Sequence, residues 1–190
     1  MQTFLARFAI LLIVTLASTS IWLIDPGKSR VQFKMHPLLV SSMGGVFHKF
    51  NGMAMLDDKD ITRSRIKVNI DTSSIDTGTS KLDEELRSDS FLNVTRYPTM
   101  TFESKKITRD GPDNLKVAGN LKLHGVTRVV VLDVKRPGTA TKDRYGKMRR
   151  TVSAAARISR KDFGLTLNPV LGAGLHDEID IDMDVELVRK

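Results

Sequence analysis

At 190 residues, 41% of them hydrophobic and 27% charged, the chain has room for one domain plus a targeting segment and is too apolar to stay disordered. It contains no cysteine, which excludes disulfides, thiolate metal sites, a cysteine nucleophile and a lipidated N-terminal cysteine. The formal charge of +8 raises an anionic partner. Yet the basic residues are spread singly, the densest cluster being Arg144, Lys147, Arg149 and Arg150, and no aromatic-basic motif accompanies them. Nucleic acid is therefore set aside for a solvated basic surface, with attraction to a membrane surface as the second reading.

In chain order, the first 20 residues read as a signal peptide. Arg7 supplies a positive start, Phe8 to Ala17 is an apolar run interrupted only by Thr15, and Ala17-Ser18-Thr19-Ser20 offers small residues to a signal peptidase. The run is about half the ~20 residues needed to span a bilayer, so cleavage after Ser20 is expected, leaving 21–190 as one exported, periplasmic domain.

From Trp22 onward the dominant signal is period two, which puts alternate side chains on one face of a half-buried strand. Val31, Phe33 and Met35 alternate with Gln32 and Lys34; Ile66, Val68 and Ile70 with Lys67 and Asn69; and Leu115, Val117, Gly119, Leu121 and Leu123 with Lys116, Asn120 and Lys122. Val152, Ala154, Ala156 and Ile158 form a strand with small inward residues. In the last strand Ile179, Ile181, Met183, Val185 and Leu187 alternate with Glu178, Asp180, Asp182, Asp184 and Glu186. Turn chemistry separates the runs at Asp25-Pro26-Gly27, Asp57 to Asp60, Asp110 to Asp113 and Arg136-Pro137-Gly138. About eight short strands result, the pattern of a sandwich or barrel. One helix interrupts them, from about Thr79 to Arg87, with Thr79 or Ser80 as N-cap and Asp83 and Glu84 near its start.

A barrel of this size either fills its interior with side chains or encloses one ligand. The inward face includes small residues at Gly119, Ala154 and Ala156 and flexible ones at Met35, Met53, Met55, Met100 and Met183. Methionine conforms to irregular apolar shapes, but the same residues also suit an ordinary core, so both readings stand on composition alone. Catalytic signals are weak. His36, His48, His124 and His176 match no metal-binding spacing, and Ser41 and Ser42 lie outside any nucleophile elbow. Asp180, Asp182 and Asp184 are most simply an outward, solubilising stripe. No catalytic residue and no metal site is assigned.

Seven stretches in order resemble the YceI family of bacterial periplasmic proteins over essentially all of Trp22 to Lys190. They are Ile24-Asp25-Pro26 with Ser29, Phe33 and His36; Gly45-Val46-Phe47 with Phe50 and Gly52; Ser74-Ile75-Asp76-Thr77-Gly78; Leu86 to Phe91; Tyr97 to Phe102; Leu123-His124-Gly125-Val126-Thr127; and Arg160 to Leu165. The resemblance implies an all-β, eight-stranded antiparallel lipocalin-like barrel with a short helical insertion. It implies an elongated apolar cavity for a polyisoprenoid or isoprenoid quinone, held as ligand rather than cofactor, and no established reaction. Phe33, Met35, Met100, Phe102, Ala154, Ala156 and Met183 are then expected to face the ligand, with His36 and His124 as polar contacts and Tyr97 and Arg87 as weaker candidates. Lys28 and Glu85 stand where the family usually has histidine, which puts the head group in doubt. The readings left beside a lipid carrier are an enzyme acting on an isoprenoid-quinone precursor and a protein docking on a membrane electron carrier. The oligomeric state is open, a homodimer included.

Overall fold

Alternation decides which side of most strands is dry, and eight of the described strands close into a ring. The computed structural model describes residues 19–37, 43–135, 137–167 and 174–190, so most of the predicted signal peptide, and Ser41 and Ser42, lie outside the described residues. The strands are β1 (Thr19–Ile24), β2 (Arg30–Pro37), β3 (Met43–Phe47), β4 (Phe50–Asp57), β5 (Arg65–Asp71) and β6 (Ile75–Asp76), then, after helix α1 (Ser80–Arg87), β7 (Thr99–Arg109), β8 (Asn114–Leu123), β9 (Val126–Lys135), β10 (Thr141–Lys142), β11 (Met148–Ser159) and β12 (Leu175–Arg189). The order β11-β9-β8-β7-β5-β4-β1-β12, with β12 pairing back onto β11, makes a closed eight-stranded antiparallel barrel. Strand β2 extends the line of β1 along the same side of β12, with β3 and β6 paired outside it.

Closure is thinnest between β9 and β11, which pair only at Ala154↔Val134 and Ala155↔Asp133, and the buried side chains form one contiguous interior with a smaller cluster around Trp22, Ala54, Leu56 and Leu187. The acidic stripe of β12 does face outward, and its neighbours answer it. Asp180 accepts from Arg157 at 2.6 Å, Asp182 lies 3.5 Å from Lys34, and Asp184 accepts from Ser153 at 2.8 Å.

Two readings of the inward face are corrected. In β4 the buried set is Phe50, Ala54 and Leu56, so Met53 (37% exposed) and Met55 belong to the outer face. The choice of register by parity favours burying Phe50 and Leu56 over the two methionines. Gly119 does face inward, but it opens no room for a ligand. A Cβ built there would come within 2.5 Å of the Phe102 ring and 2.6 Å of Glu103 O, so the glycine makes space for Phe102.

The helical insertion covers one end of the barrel. Thr79 occupies the N-cap position without a side-chain cap bond; instead the Asp83 carboxylate accepts from Thr77 N at 2.8 Å and Thr77 Oγ1 at 2.7 Å, a reach back across the first turn that fixes the helix start. Arg87 donates to Ser73 O at 3.0 Å and to Ile75 O, stapling the helix to β6. Leu86, Phe91 and Leu92 are buried beneath it. At the opposite end, β1 begins at Thr19 and pairs with β4 from Thr19↔Asp57 inward, so the predicted boundary after Ser20 falls inside a strand.

Candidate ligand-binding cavity

Two apolar voids run through the barrel, one of about 100 Å³ beneath the insertion and one of about 90 Å³ toward the other end. The first is walled by Phe33, Met100, Phe102, Leu121, Ala156 and Ile181 and roofed by Phe91, Leu92 and Leu165. The second is walled by Ile66, Ile107, Val117, Val152, Ala154 and Leu187. Both are bounded by Val68, Leu132 and Met183, which therefore form a waist between two chambers. Strand β11 explains why the space exists. Its inward row, Val152, Ala154, Ala156 and Ile158, is small at its centre, opposite Met183 and Ile181 of β12.

Six of the nine residues expected to meet a ligand line these chambers: Phe33, Met100, Phe102, Ala154, Ala156 and Met183. Met35 is fully buried, but in the packed core beside the chambers rather than on their walls. The two histidines expected as polar contacts lie elsewhere, and parity gives the reason. With Phe33 and Met35 inward, His36 must point outward, where its Nε2 meets Asp180 Oδ2 at 2.8 Å on the barrel exterior. His124 sits in the β8–β9 turn at φ 50°; its Nδ1 donates to Phe163 O at 3.1 Å, and its ring packs edge-on to Tyr97 at 4.9 Å. That turn needs Gly125, which has φ 76° and on which a Cβ would meet the Tyr97 ring at 2.6 Å. His124 and Tyr97 thus fasten a turn, as Arg87 fastens the helix. Lys28 is an exposed partner of Glu186 at 3.7 Å, and neither it nor Glu85 lines a chamber.

Polar residues at the cavity come from a place the sequence reading passed over. Beyond the second chamber, at the end away from the helix, a polar pocket of about 400 Å³ shares Leu56, Ile61 and Pro137 with that chamber and is lined further by Lys59, Arg109 and Arg150. Arg150 lies in the basic cluster assigned to solvated surface, yet it has the parity of Val152, Ala154 and Ala156 and so belongs, after Met148, to the inward row of β11. Its guanidinium lies over the Trp22 ring, 4.9 Å from the centroid, and its Nε is buried with no hydrogen-bond partner among the described residues. Its neighbour Arg149 has the opposite parity and clamps Asp25 at 2.8 Å, Asp143 at 2.7 Å and Glu186. Those bonds hold the Asp143 carboxyl down at about 2 and lower that of Asp25.

Residues 22–187 match the model of the YceI-like domain. A UPF0312 protein of Vibrio cholerae is 33% identical over 184 residues, covering 96% of this chain and 94% of the relative. Among solved structures, BcnA of Burkholderia cenocepacia superposes with a TM-score of 0.76 at 22% identity over 86% of this chain and 98% of that one. A polyisoprenoid binding domain from Saccharophagus degradans gives 0.66 at 18% identity over 91% of this chain and 100% of that domain.

Proposed function

This chain belongs to the YceI-like family, and from that premise we propose that it is an exported, non-catalytic binding protein that holds a long isoprenoid chain, simple or quinone-bearing, inside its barrel. The observation that carries the reading is the pair of end-to-end chambers walled almost wholly by hydrocarbon, inside a barrel closed at one end by the insertion. Such a tube retains an apolar chain by burial alone, at ~0.8 kcal/mol per CH₂ removed from water. Several isoprene units together outweigh the cost of immobilising a flexible ligand. A branched, kinked chain also suits a wall of small and bulky residues side by side, with Ala154 beside Met183 and Ala156 beside Ile181 on neighbouring β12. The likeness to a domain whose name gives polyisoprenoid as its ligand supports the same class.

The test is an organic extract of protein purified from the periplasm of an expressing host, analysed by mass spectrometry. One isoprenoid per barrel is the expected result. An extract holding only phospholipid, or nothing apolar, overturns the reading.

A further inference from the structure

The polar pocket beyond the second chamber carries the chemistry that hydrocarbon walls lack. Two inward rows carry an arginine at this rim. Arg150 precedes Val152 and Ala154 on β11, and Arg109 follows Ile107 on β7. With Lys59 they place three cations around one opening.

Two carboxylates also line the pocket, and each is already engaged by the protein. Asp57 Oδ1 accepts from Lys59 N and Asp60 N, both at 2.9 Å, and its Oδ2 lies 3.6 Å from Arg63. Asp58 accepts from Ser20 Oγ at 3.2 Å, while Ser20 Oγ itself accepts from Trp22 Nε1 at 2.8 Å. Arg109 reaches Asp60 only at 3.5 Å. The pocket also leaves donor capacity unfilled among the described residues, and the buried Arg150 Nε–H is its clearest instance. A buried donor without an acceptor costs the full desolvation of that group unless a ligand brings one. The flat guanidinium is already oriented by the Trp22 ring, so a ligand meets a fixed fork rather than a mobile cation.

We propose that this pocket seats the anionic head, a phosphate or diphosphate, of an isoprenoid whose tail occupies the two chambers. The proposal rests on the isoprenoid reading above and adds the head group to it. Phosphate oxygens match the arginine fork two at a time and bring negative charge to three cations. A prenol offers a single neutral oxygen. The shared walls Leu56, Ile61 and Pro137 place the head directly at the end of the apolar tube.

The experiment compares farnesyl diphosphate, farnesol and inorganic pyrophosphate on delipidated protein, read by calorimetry and by the fluorescence of Trp22, the single tryptophan. The diphosphate should bind more tightly than the alcohol by about tenfold or more, as expected of charge-assisted hydrogen bonds, and should perturb Trp22. Pyrophosphate alone should bind weakly. Arg150→Gln and, independently, Arg109→Gln should erode the preference for diphosphate while leaving farnesol affinity unchanged. Equal affinity of the wild type for diphosphate and alcohol overturns the head-group seat, as does an equal weakening of both ligands by both variants. Pyrophosphate binding as tightly as farnesyl diphosphate overturns it in favour of a free-anion site. Failure of both farnesyl ligands to bind removes the isoprenoid reading itself, and this proposal with it.

Discussion

Enlarging Ala156 separates a cavity from a packed core. Ala156 faces the first chamber and pairs with Ile181 of β12. An apolar void of about 150 Å³ accepts a benzene, so a void of about 100 Å³ takes most of a phenyl ring with small movements of its walls. In Ala156→Phe the overpacking strain, ~1–3 kcal/mol at worst, is then opposed by burying the ring, worth ~1.5–3 kcal/mol. At the middle of each range the two nearly cancel, so the net change in the lipid-free protein is expected within about 1 kcal/mol, a Tm shift of about 4 °C or less in either direction for a domain of this size. Were Ala156 small only because neighbours pack on it, the strain would stand unopposed and Tm would fall by about 2–12 °C. Differential scanning calorimetry on delipidated protein gives the first readout, and mass spectrometry of an organic extract gives the second. The cavity account expects near-native melting with the isoprenoid lost. A variant that melts lower and still carries its full lipid refutes the placement of β11 along the ligand.

Four further outcomes follow from particular contacts. Met183→Ala should open the waist between the chambers and shift the mass distribution of extracted isoprenoid toward longer chains, at a stability cost near the lower end of ~2–5 kcal/mol because the side chain already borders void; an unchanged distribution counts against the waist. Gly119→Ala should destabilise by ~1–3 kcal/mol in denaturant titration, since its Cβ meets both a ring and a backbone oxygen. Because Asp143 and Asp25 have carboxyl pKa values lowered from 3.8 in the fold, their contribution is fully present above that value and is lost as pH falls toward about 2; the Tm gap between wild type and Arg149→Met should therefore be widest above pH 4 and close below it. Ser20 is 3% exposed and bonded to Trp22, so N-terminal sequencing of exported protein should find the mature start at or upstream of Thr19, and a start at Ile21 would remove that bond.

Period two made most of the fold legible. Wherever a single alternating register dominates, as in β2, β8 and β12, the buried set was read correctly because one face carries all the apolar surface. Legibility failed where both registers are apolar. Strand β9 contains Val129, Val130, Val131 and Leu132 in succession, with Val129 at 72% and Val131 at 44% exposure, so alternation gave it no signal. In β4 the run from Met53 to Leu56 is apolar throughout, and choosing methionine for the inside moved the register by one residue. Gly119 misled for a different reason. Its small size reports a ring packed across it from the next strand, a contact between residues 17 apart that no local pattern encodes.

The site shows the same rule applied too selectively. Histidine has the chemistry of a polar ligand contact, but the alternation of β2 assigns His36 to the outside. Arg150 sits in a charge cluster that reads as solvated surface, although the same alternation places it inside. Charge-rich runs at strand ends divide by parity into two populations: Arg149 neutralises Asp25, Asp143 and Glu186, while Arg150 faces the tube with a donor unfilled. The barrel is consequently polar along its axis. One end is plugged by Leu86, Phe91 and Leu92 and presents hydrocarbon to the cavity; the other is rimmed by Trp22, Arg109 and Arg150. An amphiphile with one charged end has a single low-energy orientation in such a tube, tail toward the helix and head toward the arginines. The reverse arrangement would bury the charge against Phe91 and Leu92 without a partner, and an unpaired charge cannot be accommodated there.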